Sequence, residues 1–98
     1  ELFLDIRDRL LALDGVEERA NQKSQISYRT AKSFAAIDGK KTFIQCQFKG
    51  PEQLDDPEGR AQDIRSFGWG YQWIVKVKKP EDVDYAFNLL RDAYEREQ

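Results

Sequence analysis

The side chains of this 98-residue chain that are best suited to chemistry are basic and amide groups concentrated in its middle. Residues 22–49 and 64–79 together hold ten lysines and arginines against a single acid, Asp38. Lysine and arginine neutralise phosphates, and glutamine offers a hydrogen-bond donor beside an acceptor. These segments are therefore suited to hold nucleic acid, although the formal net charge of the whole chain is only −2.

The segment FGWGYQW, residues 67–73, adds four aromatic rings and two glycines to this set. Trp73 is in phase with the apolar residues of the strand that follows, so we predict that it lies in the core, with Tyr71 at the strand's edge. Phe67 is interpreted as a core or loop-anchoring ring. Trp69 fits two descriptions equally, a ring that plugs the core or an exposed ring that stacks on a base or a partner side chain.

Catalytic and metal-binding side chains are scarce. The chain has no histidine, so the usual neutral-pH general base and the commonest metal ligand are missing. Its single cysteine, Cys46, alternates with Ile44 and Phe48, which predicts a buried side chain and excludes a disulfide scaffold. We expect no enzyme activity, no cofactor and no metal. An unpaired cysteine and the lack of an apolar run near ~20 residues predict a reducing, cytoplasmic location without membrane contact.

Two apolar stripes at helical spacing predict a helix at each end of the chain. The first stripe, residues 2–13, ends at Asp14 and Gly15, with the glycine as the left-handed cap. The second follows Pro80 and predicts a long final helix.

Between the helices the period changes to two. This pattern predicts strands in QISYRT, SFAAI, KTFIQCQFK and YQWIVKVKK. The pair Asp38-Gly39 lies between two apolar runs and predicts the turn of a hairpin, because both central turn positions need a positive φ. Residues 51–67 predict an irregular loop with one short helix near residues 58–65, and residues 16–24 give no clear signal.

This order predicts one α+β domain over residues 1–98, a two-layer sandwich. An antiparallel sheet of about four strands would be covered on one face by the N- and C-terminal helices. The other face would be basic and amide-rich, with Ile74 and Phe43 exposed within it; its polar members would be Arg29, Gln45, Gln47, Lys49, Gln72, Lys76 and Lys78. Because the chain does not begin with methionine, we expect it to be cut from the C-terminal part of a larger protein.

Several motifs in order along the chain resemble a small bacterial domain family of unknown function, whose members are often labelled "predicted transport protein". The motifs are ISYRTAKSFAAI, LDDPEGRAQDI, WGYQWIVKV and EDVDYAFNLLRDAYE, and the matching positions are Leu11 to Asp14, Tyr28, Phe34, Asp56-Pro57, Trp69-Gly70 and Ala93-Tyr94. The family's glycine–aspartate step before the last strand is replaced by Tyr71-Gln72. The resemblance implies a C-terminal position beside a nuclease-like or restriction-type domain. The layout is more distantly similar to the MmcQ/YjbR-like double-wing proteins, which implies DNA binding.

We therefore predict a non-enzymatic accessory domain that binds nucleic acid, with DNA as the expected partner, in a DNA-processing or defence protein. The predicted contact residues are Arg29, Lys32, Lys40, Lys41, Lys49, Trp69, Lys76 and Lys78. The alternative is a protein–protein interaction or homodimerisation module without nucleic-acid contact, in which Ile74, Phe43 and Trp69 meet another chain. The same pattern also fits a solvated sheet face with no ligand, because lysines protect exposed strands from aggregation.

Overall fold

The computed structural model describes residues 2–20 and 25–97, so Lys23, one of the ten bases counted above, lies outside the described residues. The elements are α1 (Leu2–Leu11), β1 (Glu17–Ala20), β2 (Gln25–Arg29), β3 (Ser33–Gly39), β4 (Ile44–Phe48), β5 (Gln62–Asp63), a short 3-10 helix (Arg65–Phe67), β6 (Trp73–Val77) and α2 (Glu81–Arg96). All described strand pairs are antiparallel, in the order β1-β2-β3-β4-β6-β5. The predicted α+β class is confirmed, with both helices packed on the sheet.

The sheet has six strands in the described part of the chain, rather than the predicted number of about four. The two additional strands are β1, from the segment without a clear signal, and β5, where a short helix near residues 58–65 was expected. Both are short, polar edge strands. Because backbone pairing to a single neighbour holds them, their side chains need no apolar alternation, and the pattern that revealed the inner strands is missing.

The β3–β4 hairpin is confirmed, but its turn lies later than predicted. β3 continues through Gly39, which pairs with Ile44 and does not have a positive φ. The connection is residues 40–43, closed by a hydrogen bond from the Lys40 N–H to the Phe43 carbonyl at 2.8 Å. The prediction of a turn centred on Asp38-Gly39 is therefore wrong, because strand pairing extends over both residues.

The core lies between one face of the sheet and the two helices. Strand register aligns a central row of Ile26, Ile37, Cys46 and Val75 on this face. α1 contributes Ile6 and Leu10, and α2 contributes Val83, Ala86, Leu89, Leu90 and Ala93. The predicted helices and the predicted burial of Cys46 are confirmed, and Trp73 packs partly buried against this core. No helix in the described ranges is both long and apolar enough to cross a membrane.

Hydrogen bonds to the Glu18 carboxylate attach β1 to the rest of the domain. The Tyr28 hydroxyl donates a hydrogen bond to Glu18 at 2.8 Å, and the Arg7 guanidinium of α1 donates to the same carboxylate at 2.7 Å. The hydrogen bond from Arg7 holds the pKa of Glu18 below its usual range, although partial burial opposes it. An edge strand with little apolar surface is thereby tied to both α1 and β2.

Candidate nucleic-acid interface

The second face of the sheet, meaning the face turned away from α1 and α2, is crossed by two rows of mainly polar side chains. Strand register aligns the first row as Gln25, Asp38, Gln45 and Lys76. It aligns the second row as Arg19, Ser27, Ala36, Gln47, Ile74 and Gln62. Because neighbouring strands lie about 5 Å apart, the side chains within a row are in reach of one another.

The loop between the 3-10 helix and β6 lies over part of this face. It brings Trp69 into a pocket of about 420 Å³, the tryptophan pocket, whose other lining residues are Gln25, Asp38, Lys40, Gln45 and Gln47. Gly68 and Gly70 have φ values of 69° and 90°, a left-handed conformation that favours glycine, so the backbone bends sharply on both sides of the tryptophan. The loop is also fixed by a hydrogen bond between the hydroxyls of Tyr71 and Ser33 at 2.6 Å.

The aromatic rings of this loop are exposed. Trp69 is 51% exposed, and Phe67, whose ring packs edge-on against it at 5.0 Å, is 47% exposed. The interpretation of Phe67 as a core or anchoring ring is therefore wrong. Ile64, which is fully buried, is the apolar anchor of the segment, and the 3-10 turn that follows it directs Phe67 outward.

Gln47 gives the tryptophan pocket an unusual hydrogen-bonding group. The residue is only 5% exposed, and its Oε1 is buried with no hydrogen-bond partner among the described residues. A buried acceptor without a partner costs about 1–3 kcal/mol of stability. At the rim, Lys40 Nζ lies 2.9 Å from a carboxylate oxygen of Asp38. The pocket thus combines an aromatic wall, an unpartnered acceptor and a charged pair.

A second pocket, the basic pocket, lies directly beside the tryptophan pocket. It has a volume of about 350 Å³ and is lined by Arg60, Gln62, Ile74, Lys76 and Lys78. The two pockets are neighbours because β4 pairs with β6, which sets Ile74 opposite Gln47 and Lys76 opposite Gln45. Lys76 and Lys78 are exposed and make no ion pair within residues 2–20 and 25–97.

Arg60 is the cation of the basic pocket that sequence reasoning missed. Its guanidinium pairs with Asp82, a buried carboxylate that also accepts the Lys78 N–H at 3.0 Å, and it lies 5.0 Å from the Tyr85 ring. Burial alone would raise the pKa of Asp82, but these hydrogen bonds hold it below the usual range. Arg60 gave no signal because it comes from the loop before β5, and the β5–β6 pairing sets the end of that loop beside β6.

The structure places four of the predicted contact residues at the two pockets. Trp69 and Lys40 line the tryptophan pocket, and Lys76 and Lys78 line the basic pocket. Lys76 also lies over the Phe43 ring, with Nζ 5.3 Å from its centroid, which leaves that ring partly buried.

The other predicted contact residues lie outside the pockets. Arg29 is partly buried at the end of β2, where it donates to the Ala31 carbonyl at 2.9 Å. Lys32 and Lys41 are exposed, in the β2–β3 and β3–β4 connections.

Lys49 is not on the second face. Its Nζ lies 3.9 Å from Oε1 of Glu97, which follows α2, so the side chain reaches the helical layer. The prediction placed it by continuing the strand alternation, but β4 ends at Phe48 and the alternation ends with it.

The prediction that Ile74 is exposed is also wrong, because the side chain is only 5% exposed. β6 is an inner strand, so Ile74 is flanked in its row by Gln47 and Gln62. This burial removes the aliphatic centre of the apolar patch expected for a protein partner.

These features describe a small α+β domain with a helical layer on one face of its sheet and a polar, partly basic pocketed surface on the other. The chain belongs to the family described as Domain of unknown function (DUF5655), whose family model matches residues 1–97. The match confirms the resemblance to a small domain family of unknown function. Comparison with curated proteins and with solved structures gave no significant match.

Proposed function

We propose that this chain is a non-enzymatic accessory domain that binds nucleic acid through the second face of its sheet. The expected partner is DNA, and the expected setting is a cytoplasmic DNA-processing or defence protein in which a linked nuclease-like domain supplies the chemistry. One observation carries the proposal. The β4–β6 register sets Lys76 opposite Gln45, so two lysines without ion pairs in the described structure adjoin a pocket lined by a half-exposed tryptophan and three glutamines.

This arrangement suits the two parts of a nucleotide. Lysines that neutralise phosphates release counterions, which is the main source of affinity for nucleic acid. An exposed aromatic ring stacks on a base, and amide groups bond to base edges. The two pockets adjoin where Gln45 of the tryptophan pocket lies opposite Lys76 of the basic pocket, so we expect a single strand to occupy both.

Protection against aggregation accounts for only part of this surface. Lysines guard the edges of sheets, where unpaired backbone groups would recruit another chain. β5 pairs with β6 only at Ile74 and Trp73, so Lys76 has a strand partner on one side alone and fits that role. Edge protection does not explain the exposed Trp69 or the Gln47 acceptor, which is buried and has no partner among the described residues.

The non-enzymatic part of the proposal is supported by the state of the reactive groups. Burial raises the pKa of the Cys46 thiol to about 12, so the thiolate is scarce at neutral pH. The Asp56 carboxylate accepts the Tyr85 hydroxyl and the Ala61 N–H, which lies 2.8 Å away. These hydrogen bonds hold its pKa below the usual range in spite of burial, so it serves the loop rather than proton transfer.

The test is binding of a labelled single-stranded DNA oligonucleotide, measured by fluorescence anisotropy over a series of salt concentrations. We expect affinity to fall steeply with salt, with a slope of about −0.7 per phosphate contact on logarithmic axes. The double reversal Lys76→Glu with Lys78→Glu should weaken binding strongly and flatten the salt slope by about 0.7 for each lost lysine contact.

The matched control is Arg91→Glu with Arg96→Glu, which makes the same change in net charge on exposed positions of α2 in the other layer. Equal loss of binding in both variants would mean general repulsion rather than contact by the second face. Absence of binding at low salt would overturn the proposal.

A protein-interaction or dimerisation module is the competing function, and the exposed pair of Phe67 and Trp69 is the observation that favours it. It predicts a dimer in light scattering that Phe67→Ser with Trp69→Ser disrupts and that the lysine reversal leaves unchanged. A monomer that binds DNA would exclude it as the main role of this face.

A further inference from the structure

We propose that the tryptophan pocket takes a single unstacked nucleobase, with Trp69 stacked on its face and Gln47 hydrogen-bonded to its edge. This inference rests on the proposed function and deepens it, because it makes single-stranded nucleic acid the ligand and gives the base its own site. Three features of the pocket carry it: a fixed aromatic wall, a buried polar floor and an adjoining site for phosphate.

The wall is prepared before the ligand arrives. Gly68 and Gly70 set the bends on each side of Trp69, and the Phe67 ring packs edge-on against the indole, with the ring centroids 5.0 Å apart. The hydrogen bond between the hydroxyls of Tyr71 and Ser33 fixes the loop to β3. A ring that is half exposed yet held in place loses little freedom when a flat ligand stacks on it, and every base has such a flat face.

The floor of the pocket contains a hydrogen-bond acceptor without a donor, and the edge of a base can supply that donor. Gln47 Oε1 is buried and unpartnered within the described residues, and Gln45 and Gln25 line the same pocket. Base edges carry donors and acceptors side by side in one plane, which is the pattern that a carboxamide matches. A donor on the base would satisfy the orphaned acceptor. Because every base has a donor–acceptor edge, little preference between bases is expected.

The adjoining basic pocket is the proposed site for the phosphates of the strand. Lys76 lies opposite Gln45 in the sheet, so a base in the tryptophan pocket has the lysine cluster one strand away. A duplex cannot use both sites, because stacking covers the faces of its bases and pairing occupies their Watson–Crick edges. Single strands therefore fit the second face and duplexes do not.

The first experiment compares three probes of equal length by competition anisotropy at one salt concentration. The probes are a single-stranded DNA oligonucleotide, the same backbone with abasic tetrahydrofuran units in place of the bases, and the corresponding duplex. We expect the base-bearing strand to bind about 5- to 150-fold more tightly than the abasic strand, which is the range that base–aromatic stacking contributes. The duplex should bind no better than the abasic strand.

The second experiment assigns the preference to the pocket. Trp69→Ala and Gln47→Leu should each reduce the difference between base-bearing and abasic strands, whereas Lys76→Glu with Lys78→Glu should weaken both strands alike. Leu4→Ala is the control, because Leu4 is 47% exposed on α1 in the other layer. Its affinities should equal those of the unchanged protein.

Tryptophan fluorescence tests the stacking of a base on Trp69 directly, without a variant that binds more weakly. The base-bearing strand should quench the emission of the unchanged protein, and the abasic strand should not. The variant Trp69→Phe keeps Trp73, which packs against the core, so its emission should stay constant with either strand.

The outcomes separate the two proposals. If no oligonucleotide binds at low salt, both the proposed function and the base site are wrong. If base-bearing and abasic strands bind equally, the base site is wrong and the nucleic-acid function stands. If the base preference persists in Trp69→Ala and in Gln47→Leu, the base is held elsewhere and this assignment is overturned.

Discussion

Gln47 has a side chain that costs stability in the free protein and that the proposed base site would use for binding. It occupies the centre of the sheet with 5% exposure, yet its Oε1 finds no hydrogen bond among the described residues. In a site selected only for folding, an aliphatic residue of similar size would avoid that cost. The conflict is resolved if a ligand supplies the missing donor, as the base site requires.

This conflict predicts that Gln47→Leu stabilises the free protein. Removing an unpartnered buried acceptor while keeping side-chain volume should raise the free energy of unfolding by about 1 kcal/mol. Urea denaturation followed by circular dichroism measures the change. Gln45→Leu, on the same face two residues earlier but partly exposed, is the control and should change stability little. A destabilised Gln47→Leu would show that the amide is already satisfied in the free protein.

Among the elements, the junction between β4 and the following loop depends on close packing around a glycine. Gly50 lies against the indole of Trp73, and its N–H donates to Gln72 Oε1 at 3.2 Å. The indole is fixed by a hydrogen bond from its Nε1 to the Pro51 carbonyl at 2.9 Å. A side chain at position 50 would therefore press on a ring that this hydrogen bond holds.

We therefore expect Gly50→Ala to lower the free energy of unfolding by about 1–3 kcal/mol through overpacking. The added Cβ would lie 2.9 Å from Cδ1 of Trp73 and 3.1 Å from Cδ1 of Leu54. Thermal or urea unfolding measures the loss.

Gly39→Ala tests whether the effect is specific to this packing. No heavy atom lies within 4 Å of a Cβ at Gly39 and its φ is not positive, so an alanine there should be neutral or stabilise by up to about 1 kcal/mol. Equal losses in the two variants would contradict the packing explanation.

The elements also show where prediction from sequence succeeds and fails. α1, α2 and the inner strands were recognisable because each buries a regular apolar stripe against the core. β1 and β5 were missed because their polar residues pair through the backbone alone. The residues of the candidate site likewise fall into those that the sequence predicts and those that it does not. Lys76 and Gln47 followed from alternation, whereas Arg60 required pairing between segments that local sequence does not encode.

For the molecule as a whole, Cys46 is a built-in reporter of cooperative unfolding. It lies on β4, an inner strand of the sheet, and is fully buried in the core. Burial raises the pKa of its thiol to about 12. Because the pKa is raised in the folded state, the stability that this thiol contributes is complete below its ordinary pKa and is lost as pH rises towards about 12.

We expect labelling of Cys46 by an uncharged thiol reagent at neutral pH to require opening of the whole domain. The free energy derived from the labelling rate should then equal the global free energy of unfolding from urea denaturation. Protein unfolded in urea provides the reference rate. Rapid labelling under native conditions would show that the β3–β4–β6 centre opens locally, and the single cooperative core would be disproved.

The sequence by itself determined the class of the fold, the two helices, the inner strands and the polar character of the second face. It could do so because hydrophobic periodicity records which side of each element is buried. Tertiary structure alone decided that Lys49 reaches the helical layer, that Ile74 is covered, and that Trp69 stands half exposed at a pocket that Gln47 also lines. Those outcomes depend on the register of the strands and on the path of the loop that bends at Gly68 and Gly70. The register and the loop path are set by contacts between residues far apart in the chain.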